Sequence, residues 1–316
     1  MADVPGRFDP LRRRILAALA LTAAGRAIRL PADEPDDAEA AAVRDQVRRA
    51  GLGTIRSKVS DRYLVLGDAP EPFLAEALRL CDGLARDFLG HFAQKGFDVE
   101  PPSKRLTVVV LSSPEAYAAY LGRPPGEAAG GHYEPGTNRL IIFDNRARAN
   151  HGAGVARANT IALMHEAAHQ LTFNTGLLDR RADVPGWLSE GLAMYCEVRR
   201  PDGRTKVGAR NEERLLVLRQ ARAAGSWPKV AELLAADALL DDPQTEQAAY
   251  ALSWLLVYHL MRSPERLPDF RAYLIALRGR RDPTRRLEHA RAAFGNPAQL
   301  DTELERAFDR LRVRPR

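Results

Sequence analysis

The sequence predicts an α+β fold: a small mixed-sheet lobe, then a mainly helical lobe, with one apolar, histidine-bearing helix between them. Three observations lead there. Residues 62–66, 105–111 and 130–144 are short runs rich in β-branched and aromatic residues and bounded by turn formers, the pattern of strands. Downstream of Gly176, apolar residues recur at helical spacing through segment after segment. Between these regions, Ile161, Leu163, Met164, Ala167, Ala168 and Leu171 supply apolar positions all round one helix that carries little charge, so it reads as buried.

The elements follow in chain order. Arg12-Arg13-Arg14 precedes an apolar run from Ile15 to Ala24, with small residues at Gly25 and Ala27, so residues 1–28 read as an export signal. The run is too short to span a bilayer, and Arg12 to Leu16 is similar to the twin-arginine export pattern. The predicted location is therefore periplasmic or secreted; a cytoplasmic protein with an amphipathic or buried N-terminal helix is the alternative. Residues 29–58, acidic and Ala-rich from Pro31 to Arg49, read as a linker or loose helix.

A catalytic domain is expected over residues 59–262. Its mixed lobe, 59–176, holds strands at 62–66 and 105–111, the latter with the Val108, Val109 and Val110 run of a buried strand. A helix at Glu71–Gln94 lies between them, and a short one is expected at Pro114–Leu121. Two strands in 130–144 are joined by a turn at Pro135-Gly136. The histidine-bearing helix starts at an N-cap on Asn159 or Thr160 and stops at Gly176. Helices near 186–198, 211–224 and 245–262 complete the helical lobe, 177–262. Residues 263–316 read as a basic C-terminal helical extension with helices near 267–278, 284–293 and 297–312.

With 316 residues and 45% apolar content, the chain can bury a core of one large domain or two lobes. Its net charge of +6 belongs to the C-terminal helices, where Arg262 to Arg316 include fourteen Arg against eight acidic residues. Interleaved acids and few aromatics make this a solvated face rather than a specific nucleic-acid site. Of 47 basic residues only five are Lys, which reflects genome bias and identifies no ligand. Two cysteines, Cys81 and Cys196, exclude a disulfide framework, leave room for a single bridge, and form no zinc-binding pair.

The chemistry concentrates in His165-Glu166-Ala167-Ala168-His169 and, twenty-one residues beyond His169, Glu190. Residues four apart on a helix project from one face, so the two imidazoles can share one metal. Two His and one carboxylate leave zinc's fourth position open, and one Zn2+ ion is the expected cofactor. Glu166, beside the first ligand, is placed to take a proton from water and later return it. Glu190 sits among Trp187, Leu188, Leu192, Ala193 and Tyr195, where a buried carboxylate needs a cation. Asp179, Asp183 and Glu197 are rival third ligands; Glu197 reads instead as either a hydrogen-bond acceptor orienting a ligand His or a capping group. His132 and His151 are read as bystanders.

These residues resemble the gluzincin clan of zinc metallopeptidases, which carry a thermolysin-like His-Glu-x-x-His on one helix and a Glu ligand on the next. The stretch His165 to Glu197, with Gln170-Leu171-Thr172-Phe173, Val184-Pro185-Gly186-Trp187-Leu188-Ser189-Glu190-Gly191-Leu192-Ala193 and Tyr195, resembles more closely an uncharacterised bacterial gluzincin-like family known only as a domain of unknown function. The likeness extends from about Arg62 to about Met261 and is specific between 165 and 197. It implies a zincin-like fold with the motif helix between the lobes, and peptidase chemistry on a peptide or protein substrate. The strand pair at 130–144 resembles the sheet edge that borders the zincin cleft, where an extended peptide can add as a strand. Tyr250 matches a position at which gluzincins place a phenol or imidazole, so it is expected to stabilise the oxyanion, a role worth roughly 2.7 to 4 kcal/mol. A zinc metallopeptidase is the expected function. The alternatives are a catalytically inactive zincin-fold binding protein and a zinc hydrolase of a non-peptide amide such as cell-wall material. No transmembrane span is expected, and the sequence does not fix the oligomeric state.

Overall fold

The computed structural model describes residues 33–123, 130–145, 153–198 and 206–311. The export signal expected over 1–28, and His151, lie outside these residues. Contacts divide the chain into residues 1–38 and residues 39–316, and the larger unit contains the whole sheet. Among the described residues the fold is α+β, as the sequence predicts, with twelve α-helices and one five-stranded mixed sheet.

The chain runs α1 (Asp33–Arg49), β1 (Arg56–Val59), β2 (Tyr63–Gly67), α2 (Glu71–Gln94), β3 (Leu106–Leu111), α3 (Pro114–Leu121), β4 (Gly131–Glu134) and β5 (Arg139–Phe143). It continues with α4 (Ala153–Asn174), α5 (Gly186–Cys196), α6 (Glu212–Ala223), α7 (Val230–Ala235), α8 (Ala238–Asp241) and α9 (Glu246–Arg262). It ends with α10 (Leu267–Leu277), a 3-10 turn at Pro283–Arg285, α11 (Arg286–Phe294) and α12 (Pro297–Arg310).

The strands lie in the order β1-β2-β3-β5-β4, parallel at the centre and antiparallel at both edges. Parallel strands bury both faces, which is why the Val108 to Val110 run is continuous rather than alternating. Val65, Val108, Val110, Leu140 and Ile142 join the larger apolar cluster, with α2 and α4. Leu64, Leu66, Val109, Ile141 and Phe143 join a smaller one on the opposite face, with α1 and α3. The sheet is thus the middle of three layers.

Of the linker or loose helix expected over 29–58, the described residues from 33 on form a packed helix and an edge strand. Ala40, Val43 and Val47 of α1 are buried in the smaller cluster, and Glu39 pairs with Arg139 at 2.6 Å. The edge strand β1 escapes sequence reading because its four residues are mostly exposed and show no apolar alternation; its place comes from the ladder to β2. The motif helix begins at Ala153, ahead of the expected N-cap. Asn159 is buried inside it and bonds Asp144 Oδ1 (3.1 Å) and the Asn145 N–H (3.3 Å), so its polarity serves a tether to the end of β5.

Phe270, Tyr273, Phe294 and Leu304, from the segment set apart by its charge, share one apolar cluster with Trp187 and Trp254. Cys81 and Cys196 are buried and unbridged. Among the described residues, no helix is long and apolar enough to cross a membrane.

Candidate metal centre

α4 packs on the sheet through one face and presents its chemistry on the other. Met164, Ala167, Ala168 and Leu171 are buried in the core, while His165, Glu166, His169 and Phe173 line a cleft of about 870 Å³. Gly176, at φ +80°, stops the helix in the left-handed conformation that glycine tolerates best. In α5 the alternation is equally sharp: Trp187, Leu188, Leu192 and Ala193 are buried, whereas Ser189 and Glu190 reach the same cleft. α5 seats closely on α9 at Gly191, where a Cβ would lie 2.6 Å from the Ser253 carbonyl oxygen.

The three expected ligands converge. His165 Nε2 lies 3.0 Å from Glu190 Oε2 and 3.2 Å from His169 Nε2, and His169 Nε2 lies 3.4 Å from Glu190 Oε1. The two distances to Glu190 run to different oxygens; with one atom taken from each residue the three donors lie within 4.8 Å of one another, near enough to share one ion. Two imidazole nitrogens and a carboxylate are a donor set that catalytic zinc takes, so the residues present fit the ion.

The surrounding charge favours a cation as well. Burial alone would lower the His165 pKa, but hydrogen bonds with Glu190 and Glu197 outweigh it and hold the ring well above the usual imidazole range. Burial works against ionised Glu190, and the charges and hydrogen bonds of His169 and His165 hold it well below the usual carboxylate range.

Each imidazole is oriented by its other nitrogen. Glu197 Oε2 is 3.2 Å from His165 Nδ1, and the Ser189 hydroxyl is 3.1 Å from His169 Nδ1. Glu197 closes α5 and is buried; its other oxygen accepts from Asn211 Nδ2 at 2.9 Å and from Arg214 at 3.4 Å. Glu197 thus stands both at the C-cap of α5 and against His165 Nδ1, so the capping and orienting readings meet in one buried residue. Asp179 and Asp183 are engaged elsewhere, by Arg281 and Arg286. Sequence reading missed Ser189, Asn211 and Arg214, although Ser189 stands next to the third ligand.

Glu166 points at the sheet edge. Its Oε2 accepts the outward-facing backbone N–H of Tyr133 on β4 at 2.8 Å, a donor that an edge strand leaves unpaired. β4 can run this close to α4 because Gly130 precedes it; a Cβ there would sit 2.5 Å from that of Ala162. The β4–β5 turn is fastened to the same helix. Gln170 Nε2 donates to the Thr107 and Asn138 carbonyls, and the Asn174 amide bonds Asn138 Oδ1 at 2.7 Å. Tyr250 lies in the cleft wall with Glu246 and Gln247, and burial with nearby Glu190 pushes its phenol up to about 12. It therefore remains an O–H donor through the neutral range. His132 is outside the cleft lining and bonds the Tyr117 hydroxyl at 2.6 Å.

Residues 158–283 match a family model described as "Protein of unknown function (DUF1570)", less than half of the chain. The matched stretch holds all three candidate ligands, Glu166 and Tyr250, and it is consistent with the expected likeness to an uncharacterised domain of unknown function. No curated protein matches the chain.

Proposed function

We propose that this chain is a zinc-dependent hydrolase of the gluzincin kind that cleaves peptide bonds. The observation that carries the reading is the convergence of His165, His169 and Glu190, one donor atom from each within 4.8 Å of the others, with Glu166 beside them in an open cleft. The chemistry zinc supplies in such a site is polarisation of a carbonyl and a shift of a water's pKa towards about 7. Glu166, held at Oε2 by the Tyr133 N–H, takes a proton from water at Oε1 and returns it to the leaving amine. Tyr250, protonated at working pH, donates its hydroxyl to the oxyanion that develops. Ser189 and Glu197 keep both imidazoles turned towards Glu190. The β4 edge lies along the cleft, and apart from the Tyr133 N–H that Glu166 takes, its outward side is where an extended peptide would pair. Export before cleavage, as the residues 12–27 pattern implies, is part of the same proposal.

The test separates metal binding from turnover. Zinc content by elemental analysis and cleavage of a peptide library are measured on the same preparations. Glu166→Gln is expected to retain zinc and lose at least about a hundredfold in turnover, the scale of general acid–base catalysis. His165→Ala and Glu190→Ala are expected to lose both. Full turnover by the Gln variant would refute the mechanism even with zinc present.

A further inference from the structure

The cleft continues into a second pocket of about 600 Å³ that shares Pro135 and Phe173 with it and is walled by Arg180, Arg181, Arg278 and Asp179. Three arginines and one aspartate are thus among its lining residues. That carboxylate is already engaged: Asp179 Oδ1 accepts the Arg181 backbone N–H at 2.9 Å, and Oδ2 faces Arg281 at 3.6 Å. Among the described residues, neither Arg180 nor Arg181 pairs with a carboxylate, and both are exposed. Arg278 spends one Nη on the Gly176 carbonyl at 2.6 Å and keeps a buried Nε without a partner. Arg180 is set at the end of the β4 edge, donating to the Pro135 carbonyl at 3.4 Å beside the Tyr133 phenol.

We propose that this pocket is a carboxylate-recognising subsite that gives the cleft a preference for acidic peptides. The proposal rests on the hydrolase reading for what the neighbouring cleft holds. The location sets the register. Tyr133, whose N–H holds Glu166, lies two residues before Pro135, and an extended chain rises about 3.3 Å per residue. A peptide lying along β4 brings a carboxylate into the pocket from two or three residues away from the bond beside Glu166. The guanidinium fork matches a carboxylate with two parallel hydrogen bonds, which a neutral amide of the same shape cannot reproduce at equal strength. Phe173 and Leu178 supply an apolar floor for the methylene stem of the incoming side chain.

A glutamate side chain and a free carboxy terminus present the same group, and the experiment tells them apart. Fluorescein-labelled, amidated Ala/Gly peptides carrying one Glu at successive positions are compared with their Gln counterparts, alongside the Gln peptides with a free carboxy terminus. Binding to the full chain bearing Glu166→Gln is read by anisotropy, with and without zinc, and cleavage by the unaltered chain is read by mass spectrometry. One carboxylate position is expected to bind about tenfold more tightly than its neutral partner, the order expected for one charge-assisted pair. Arg180→Glu combined with Arg181→Glu is expected to erase that gain with an unchanged melting midpoint. Equal binding of charged and neutral peptides, or a gain that survives the double change, overturns the subsite. Arginine-dependent binding without cleavage of any peptide supports the subsite and removes the hydrolase; cleavage with no carboxylate preference does the reverse.

Discussion

Replacing Glu197 by Gln alters one atom of a side chain that is not itself one of the three candidate ligands, yet its effect should be felt at the metal site. The carboxylate accepts from His165 Nδ1 and so leaves Nε2 as the free donor facing Glu190 and His169. Asn211 and Arg214 fix its position, and their charge and hydrogen bonds with that of His165 hold its pKa below the usual range against the effect of burial. Gln retains the shape and one acceptor but removes the charge that makes the ring a better ligand. Glu197→Gln is therefore expected to weaken zinc about 10- to 100-fold in chelator competition, the range for such outer partners. An unchanged dissociation constant would reduce Glu197 to a capping group. The candidate ligands could be picked out in the sequence because the i, i+4 spacing forces two histidines onto one helix face. Ser189 was not, since a serine preceding a ligand carries no pattern that says where its hydroxyl points.

At the level of elements, α2 and α5 meet through a polar contact whose protonation can be followed. His91 Nε2 lies 2.9 Å from the Tyr195 hydroxyl, and burial, with Lys95 and Arg262 nearby, lowers the ring's pKa to about 4. The unfolded chain takes up that proton near pH 6.5, so between about pH 6.5 and 4 it binds more protons than the native state. Stability from this group is thus complete above pH 6.5 and is lost as the pH falls towards 4. Melting midpoints from pH 7 to pH 4.5 should decline less steeply for His91→Gln than for the unaltered chain. Parallel curves would locate the acid sensitivity elsewhere, the metal cluster included. Elements with strong periods were readable: α2, β3, α9 and α12 stand close to their predicted bounds. β1, α7 and α8, of four to six residues, were not, because so short a segment shows no repeat; tertiary pairing places them. The start of α4 was misplaced because Asn159 has the chemistry of a cap while its partner, Asp144, is brought near only by the fold.

Across the whole molecule, the basic segment after residue 262 reaches α5 through one arginine. Arg286, at the start of α11, is 12% exposed, grips Asp183 at 2.5 Å, and bonds Asp237 at 2.6 Å. Asp237 in turn accepts the Gly186 backbone N–H at 2.8 Å, an otherwise free donor at the first turn of α5, the helix that carries Glu190. Composition had marked this segment only by its surplus charge, and nothing in a run of arginines distinguishes the solvated ones from the one that the fold encloses. Removing Arg286 leaves two nearby carboxylates without their cation, a defect that typically costs about 3 to 5 kcal/mol when the pair is buried. Asp237 is 36% exposed, so the lower end of that range is expected for Arg286→Met. The neighbouring Arg285, 54% exposed and paired with Glu288, serves as control, and Arg285→Met should shift stability by about 0.5 kcal/mol or less. Urea denaturation followed by tryptophan fluorescence reads both, with Trp187 one residue from Gly186 as the reporter. If stranded charge is the cause, adding Asp183→Asn and Asp237→Asn to Arg286→Met should recover part of the loss, whereas simple loss of contacts predicts a further fall. Zinc affinity should drop in step with the Arg286 defect, because the same bond that caps α5 holds Glu190 in reach of the two histidines. Equal stabilities for the two arginine variants would sever that link and leave the C-terminal helices as packing alone.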